Sequence, residues 1–199
     1  SDLRSRWRLG VDIDSPLDLV LLGPRFAQHL ALADRAVVEA RLEAVRAIAS
    51  NPQTELLVAG RTSAAALAWL EGATTGRIRA LVEERGLRTS RAGQRPPASV
   101  LGLLLERDGP GSVGSHLARL ADAALVDSRV LLAHRLGADE AAWPSPEDRF
   151  ASDLLLAERI DDPWLRELTA AAVAAPIPVV LGGHTLVGPG LRLALRRRP

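Results

Sequence analysis

Apolar residues recur along this chain with two alternating spacings, and that alternation predicts the architecture. Over 26–49, Leu30, Val38, Leu42, Val45 and Ile48 fall on one helical stripe, while Arg35, Glu39, Arg41, Glu43 and Arg46 occupy the other faces. Asn51-Pro52 ends that helix. The run from Glu55 to Ala59 is short and apolar, and Gly60 closes it, as expected of a buried strand. Thr62 or Ser63 then caps an alanine-rich helix reaching Leu70. A second strand is predicted over 77–82, ending at Glu83-Glu84-Arg85-Gly86. Strand, helix and strand in this order form a parallel crossover unit.

The second half continues the pattern. The stretch 87–97 is rich in breakers and arginine and reads as a mobile loop. Helices are predicted over 98–106 and 115–121, separated by the break at Asp108-Gly109-Pro110-Gly111. The apolar run 123–133 suits either a buried strand or a short helix. Ser145-Pro146-Glu147-Asp148 is a capping pattern opening a helix to about residue 156, and Asp162-Pro163 starts another running to 174. Residues 177–181 read as a strand, and 190–195 as a last strand or turn. The expected fold class is α/β, a mainly parallel sheet with helices packed on it.

Composition narrows the function classes. With 199 residues, 47% of them hydrophobic and 25% charged, the chain can bury a core. A net charge of +1 argues against a general nucleic-acid binder. All 25 basic residues are arginine, as a GC-rich genome would produce. The absence of cysteine excludes disulfides and thiolate chemistry. His29, His116, His134 and His184 lack zinc-motif spacing. No apolar run nears the roughly 20 residues of a membrane span, and no signal peptide is evident. The expectation is a cytoplasmic bacterial protein without nucleic-acid or membrane partners.

Val11-Asp12-Ile13-Asp14-Ser15-Pro16-Leu17-Asp18-Leu19 carries the most specific signal. It reads as a short strand ending in carboxylates, then a helix capped by Ser15 with Pro16 in its first turn and Asp18 as the acidic half of a capping box. The stretch resembles the closing signature of nucleotidyltransferases that make guanylylated phospholactate, CMP-sugar acids and the molybdenum-cofactor dinucleotide. In that superfamily the turn ends the catalytic domain and can supply a metal-binding carboxylate. The resemblance implies a nucleotidyltransferase-like tail over 1–25, a separate α/β ligand-binding domain over 26–199, and Mg²⁺ held by Asp12 and Asp14. On a strand these two carboxylates would share a face, roughly 7 Å apart. The family's glycine-rich basic phosphate loop has no counterpart here. Gly109-Pro110-Gly111-Ser112-Val113-Gly114 lacks both a basic residue and a preceding strand. With Ser1-Asp2 opening directly before a strand, the chain reads as the C-terminal portion of a longer protein, catalytically incomplete alone.

A second candidate site follows from the topology. If the strands run parallel, Arg61, Thr62, Ser63, Arg85, Gly182, Gly183 and His184 gather on one rim, where ligands of open α/β sheets bind. Arg61 and Arg85 suit a small anionic ligand, a phosphate or carboxylate. Thr62, Ser63 and the helix behind them offer N–H donors. Gly182 and Gly183 allow close approach, and His184 supplies an acid, base or metal ligand. The same residues also suit a plain helix cap, a surface ion pair and a turn.

Asp122, Asp127, Asp148 and Asp153, near Arg129, His134 and Arg149, suit either a Mg²⁺ or Mn²⁺ site or structural ion pairs. Two further readings stay open. One is a self-sufficient hydrolase or transferase using His184 with Arg61 and Arg85. The other is a dimerisation or regulatory module, a possible homodimer formed through the 26–49 stripe.

Overall fold

The computed structural model describes residues 11–83 and 97–196. Most of the predicted loop at 87–97, and Arg85 with it, lies outside the described residues. The fold is α/β. Strands β1 (Glu55–Gly60), β2 (Arg77–Val82), β3 (Ala123–Asp127) and β4 (Val179–Gly182) form one four-stranded sheet in the order β2-β1-β3-β4. Every pairing is parallel, with Leu56 beside Ile78 and Ala123, and Val126 beside Leu181. β1, β3 and β4 are almost unbroken apolar runs because helices cover both of their faces. β2, at the edge, alternates Arg77 and Arg79 with apolar residues and is largely exposed.

Eleven α-helices lie among the described residues: α1 (Pro16–Leu22), α2 (Pro24–Ala27), α3 (Leu32–Ala49), α4 (Ala64–Ala73), α5 (Val100–Asp108), α6 (Val113–Ala118), α7 (Ser128–Leu136), α8 (Pro146–Asp153), α9 (Pro163–Val173), α10 (His184–Val187) and α11 (Leu191–Ala194). α4 is the crossover between β1 and β2. α3 buries Val38, Leu42 and Val45 in the main core, so its stripe faces its own sheet. Leu17, Val20 and Leu21 of α1 join that same core.

Four predicted boundaries are corrected. Residues 11–14 are not a strand: Val11 to Asp14 pair with no neighbouring strand, and Ile13 is exposed. The 26–49 helix is two, because the chain is extended at Ala31, immediately before α3. The 123–133 run is both alternatives in succession, β3 leading directly into α7 with Asp127 as the cap. Residues 190–195 hold the short helix α11 rather than a strand.

Candidate functional site

The chain leaves β1 toward the β2 edge, then returns to place β3 on the other side of β1. This makes the carboxyl ends of β1 and β3 the topological switch point, the position where open α/β sheets bind ligands. Gly60 ends β1 there with φ +131°. A Cβ on it would lie 2.3 Å from the Asp127 Cβ, so only glycine lets the two strand ends converge.

Arg61 follows Gly60 and grips Asp127 bidentately, Nε to Oδ2 at 2.6 Å and Nη2 to Oδ1 at 3.0 Å. The Asp127 side chain is wholly buried, whereas that of Arg61 is 24% exposed. Asp127 also accepts the Arg129 backbone N–H at 3.2 Å, which caps α7. The guanidinium expected to hold a ligand therefore holds an internal carboxylate, and its outer edge reaches solvent.

Behind this pair lies a second one. Arg129 binds the fully buried Asp153 of α8 through Nη1 at 2.5 Å and Nη2 at 2.7 Å. The Ser128 hydroxyl accepts from Arg129 Nη1 at 3.0 Å and donates to the Gly182 carbonyl at 3.2 Å, tying the end of β3 to that of β4. Burial pulls on the Arg129 guanidinium, but Asp153, Asp127 and Asp18 together hold it above its ordinary range. Asp18 of α1 completes the cluster. Its carboxylate accepts the backbone N–H groups of Asp14 at 2.9 Å and Ser15 at 2.8 Å, the acidic half of the expected capping box. Burial, opposed by those bonds, pushes Asp18 up to about 6.

His184 opens α10 at the end of β4 and is exposed at the rim. Burial first, then the Arg61 charge, holds its imidazole below the usual histidine range, against the pull of Asp127, Asp12 and Asp14. Arg61, Asp127, Asp12 and Asp14 thus each lie within electrostatic reach of His184. The Thr185 hydroxyl donates to the Asp12 carbonyl at 3.1 Å, which lays the 11–14 segment across the start of α10.

The remaining predicted residues divide. Ser63 caps α4, its hydroxyl accepting from the Ala66 N–H at 3.2 Å. The Thr62 hydroxyl is buried on the same rim without a hydrogen-bond partner among the described residues. Gly182 is a packing glycine: a Cβ there would lie 2.9 Å from the side chains of both Leu17 and Leu186. Gly183 faces open space. Asp12 and Asp14 lie exposed on irregular backbone rather than on a strand. Among the described residues, no group of three or more His, Asp or Glu is arranged to hold a metal.

The acidic constellation resolves largely into internal bonds. Asp127 and Asp153 pair with arginines. Asp122 accepts the Glu55 N–H, and Asp148 accepts the Asp161 and Asp162 N–H groups rather than closing its own capping box. Sequence reasoning missed the Arg61–Asp127 and Arg129–Asp153 partnerships. Their one trace is the charged Asp127-Ser128-Arg129 step inside an apolar run.

No protein-family model matches the chain, and no solved structure matches it. Among curated proteins, the chain is similar to Translation initiation factor IF-2 of Acetivibrio thermocellus, 33% identical over 98 residues. That match covers 47% of this chain and 9% of the factor. The chain therefore spans less than a tenth of that relative's length. Among the described residues, no helix is long and apolar enough to cross a membrane.

Proposed function

We propose that this domain binds a small anionic molecule, a phosphate or carboxylate compound, at the carboxyl rim of β1, β3 and β4. The observation that carries the reading is the partly exposed Arg61, fixed by Asp127 at the β1/β3 switch point. Asp127 engages the guanidinium through Nε and Nη2, and a guanidinium has five N–H donors, so some remain for a ligand. The N-terminal N–H groups of α4, which starts just after Arg61, add a positive dipole end. Gly183 leaves open space for the ligand beside His184.

The likeness of residues 11–19 to the nucleotidyltransferase signature narrows the ligand to nucleotides or phosphorylated acids. Asp12 and Asp14 would then hold Mg²⁺, which typically takes one or two carboxylates and completes its shell with phosphate oxygens and water. When bound, the ion would neutralise phosphate charge. The reading assigns binding and orientation, not nucleotidyl transfer, to this chain alone.

The test is a titration of the full chain with nucleotides and phosphorylated carboxylic acids, with and without Mg²⁺, followed by NMR and thermal shift. Saturable binding is expected, weakened about tenfold or more by Arg61→Ala through loss of charge-assisted hydrogen bonds. Arg61→Lys, which keeps the charge opposite Asp127, should fall between the two. Equal binding by the Arg61 variants, or no saturation at millimolar ligand, overturns the proposal. Nucleotidyl transfer by this chain overturns its restriction to binding.

A further inference from the structure

A cavity of about 290 Å³ is lined by residues of α5, of the turn that follows it, of α7 and of the start of α9. Its volume is at the small end of ligand pockets, about 300–1,000 Å³. Leu105, Pro110, Leu131 and Trp164 make most of the wall apolar. The polar lining comes from His134, Glu106 and Arg135, and the Arg135 guanidinium lies over the Trp164 ring at 5.2 Å.

The His134 side chain is 8% exposed, and its placement is specified from two sides. Its Nδ1 accepts the Ser99 backbone N–H at 3.1 Å, so the neutral ring carries its proton on Nε2. Gly102 makes room for the ring, since a Cβ there would lie 2.3 Å from His134 Cδ2. Nε2 is buried and has no aligned hydrogen-bond partner among the described residues. The Glu106 carboxylate stands 3.2 Å away, on a side chain 60% exposed that can turn aside. A buried donor without an aligned acceptor costs about 1–3 kcal/mol, so a ligand that satisfies it gains affinity.

We infer that this cavity is a binding site for a small neutral hydroxyl compound of the phenol type. A hydroxyl is both acceptor and donor. With the exposed Glu106 side chain turned aside, a hydroxyl takes the place of its oxygen, accepting from the imidazole and donating to the carboxylate. The ring would lie against Trp164, Leu105 and Leu131. A carboxylate ligand in the same place would meet Glu106 with like charge, while the Arg135 guanidinium is engaged on the Trp164 ring, and a hydrocarbon would leave Nε2 unsatisfied.

The test is NMR titration of the full chain with phenol, toluene and benzoate, followed at the Trp164 indole N–H, which Trp164→Phe identifies. Phenol is expected to saturate, with toluene and benzoate at least about fivefold weaker. Glu106→Ala, at an exposed position, and His134→Phe should each weaken phenol by about two- to tenfold, the worth of one hydrogen bond. Inorganic phosphate, a probe for the rim, should not displace phenol, which separates this site from the rim. Absence of saturation, toluene or benzoate binding as tightly as phenol, or phenol binding untouched by Glu106→Ala overturns the inference.

Discussion

Arg129 and Asp153 set the strongest residue-level constraint, because each is buried and loses its bidentate partner without the other. Removing one partner of such a pair typically costs about 3–5 kcal/mol, whereas replacing both with apolar residues is often close to neutral. Asp153→Ala should therefore unfold at much lower denaturant than the parent. Arg129→Met with Asp153→Leu should recover most of the loss, and a double variant as unstable as the single one would count against this account. Asp18 adds a pH dependence of defined sign. Its carboxyl is raised to about 6 from 3.8, chiefly by burial. Between those values the folded state holds more protons than the unfolded one, so stability falls as pH rises through the window. The shift corresponds to at most about 3 kcal/mol, complete above pH 6. Asp18→Asn keeps an acceptor for the Asp14 and Ser15 N–H groups. It should flatten the stability profile between pH 4 and pH 6.5, as measured by urea unfolding. An unchanged slope would mean that Asp18 is not the responsible group.

At the scale of elements, two of the rim glycines, Gly60 and Gly183, should respond differently to alanine. Gly60 combines φ +131° with a Cβ position 2.3 Å from Asp127. Gly60→Ala is therefore expected to cost about 2 kcal/mol or more, from backbone strain and displacement of the Arg61–Asp127 pair. Gly183 has φ −96° and open surroundings, so Gly183→Ala should change the melting temperature little. Equal effects would show that the β1–β3 convergence is not what demands glycine. The elements themselves were readable where one physical rule dominates. The continuous apolar runs of β1 and β4 and the proline-led starts of α8 and α9 follow from burial and capping. Legibility failed where the rule was tertiary. Val11 to Asp14 alternate like a strand but find no neighbour to pair with. β3 runs into α7 without a loop because Asp127 serves both elements. The partner of Arg61 lies 66 residues away, and no local spacing encodes it.

At the scale of the whole molecule, the first described helix is part of the sheet's own core. Leu17 is 1% exposed and rests against the end of β4, where Gly182 admits it. The same helix brings Asp18 to the Arg129–Asp153 pair, so apolar packing and buried charge fix α1 together. Two variants at this contact should therefore be coupled. Leu17→Ala removes a buried leucine and is expected to cost about 2–5 kcal/mol. Gly182→Ala inserts a methyl that clashes with Leu17 and Leu186, and overpacking of this kind costs about 1–3 kcal/mol. In the double variant the new methyl occupies part of the space Leu17 vacated, so the combined loss should fall short of the sum by about 1 kcal/mol. Leu186 remains in contact, which keeps the rescue partial. Strict additivity in a denaturant-unfolding cycle would mean that α1 does not pack on β4. The rim would then lose the strap over α10 that carries Asp12 and Asp14 to His184.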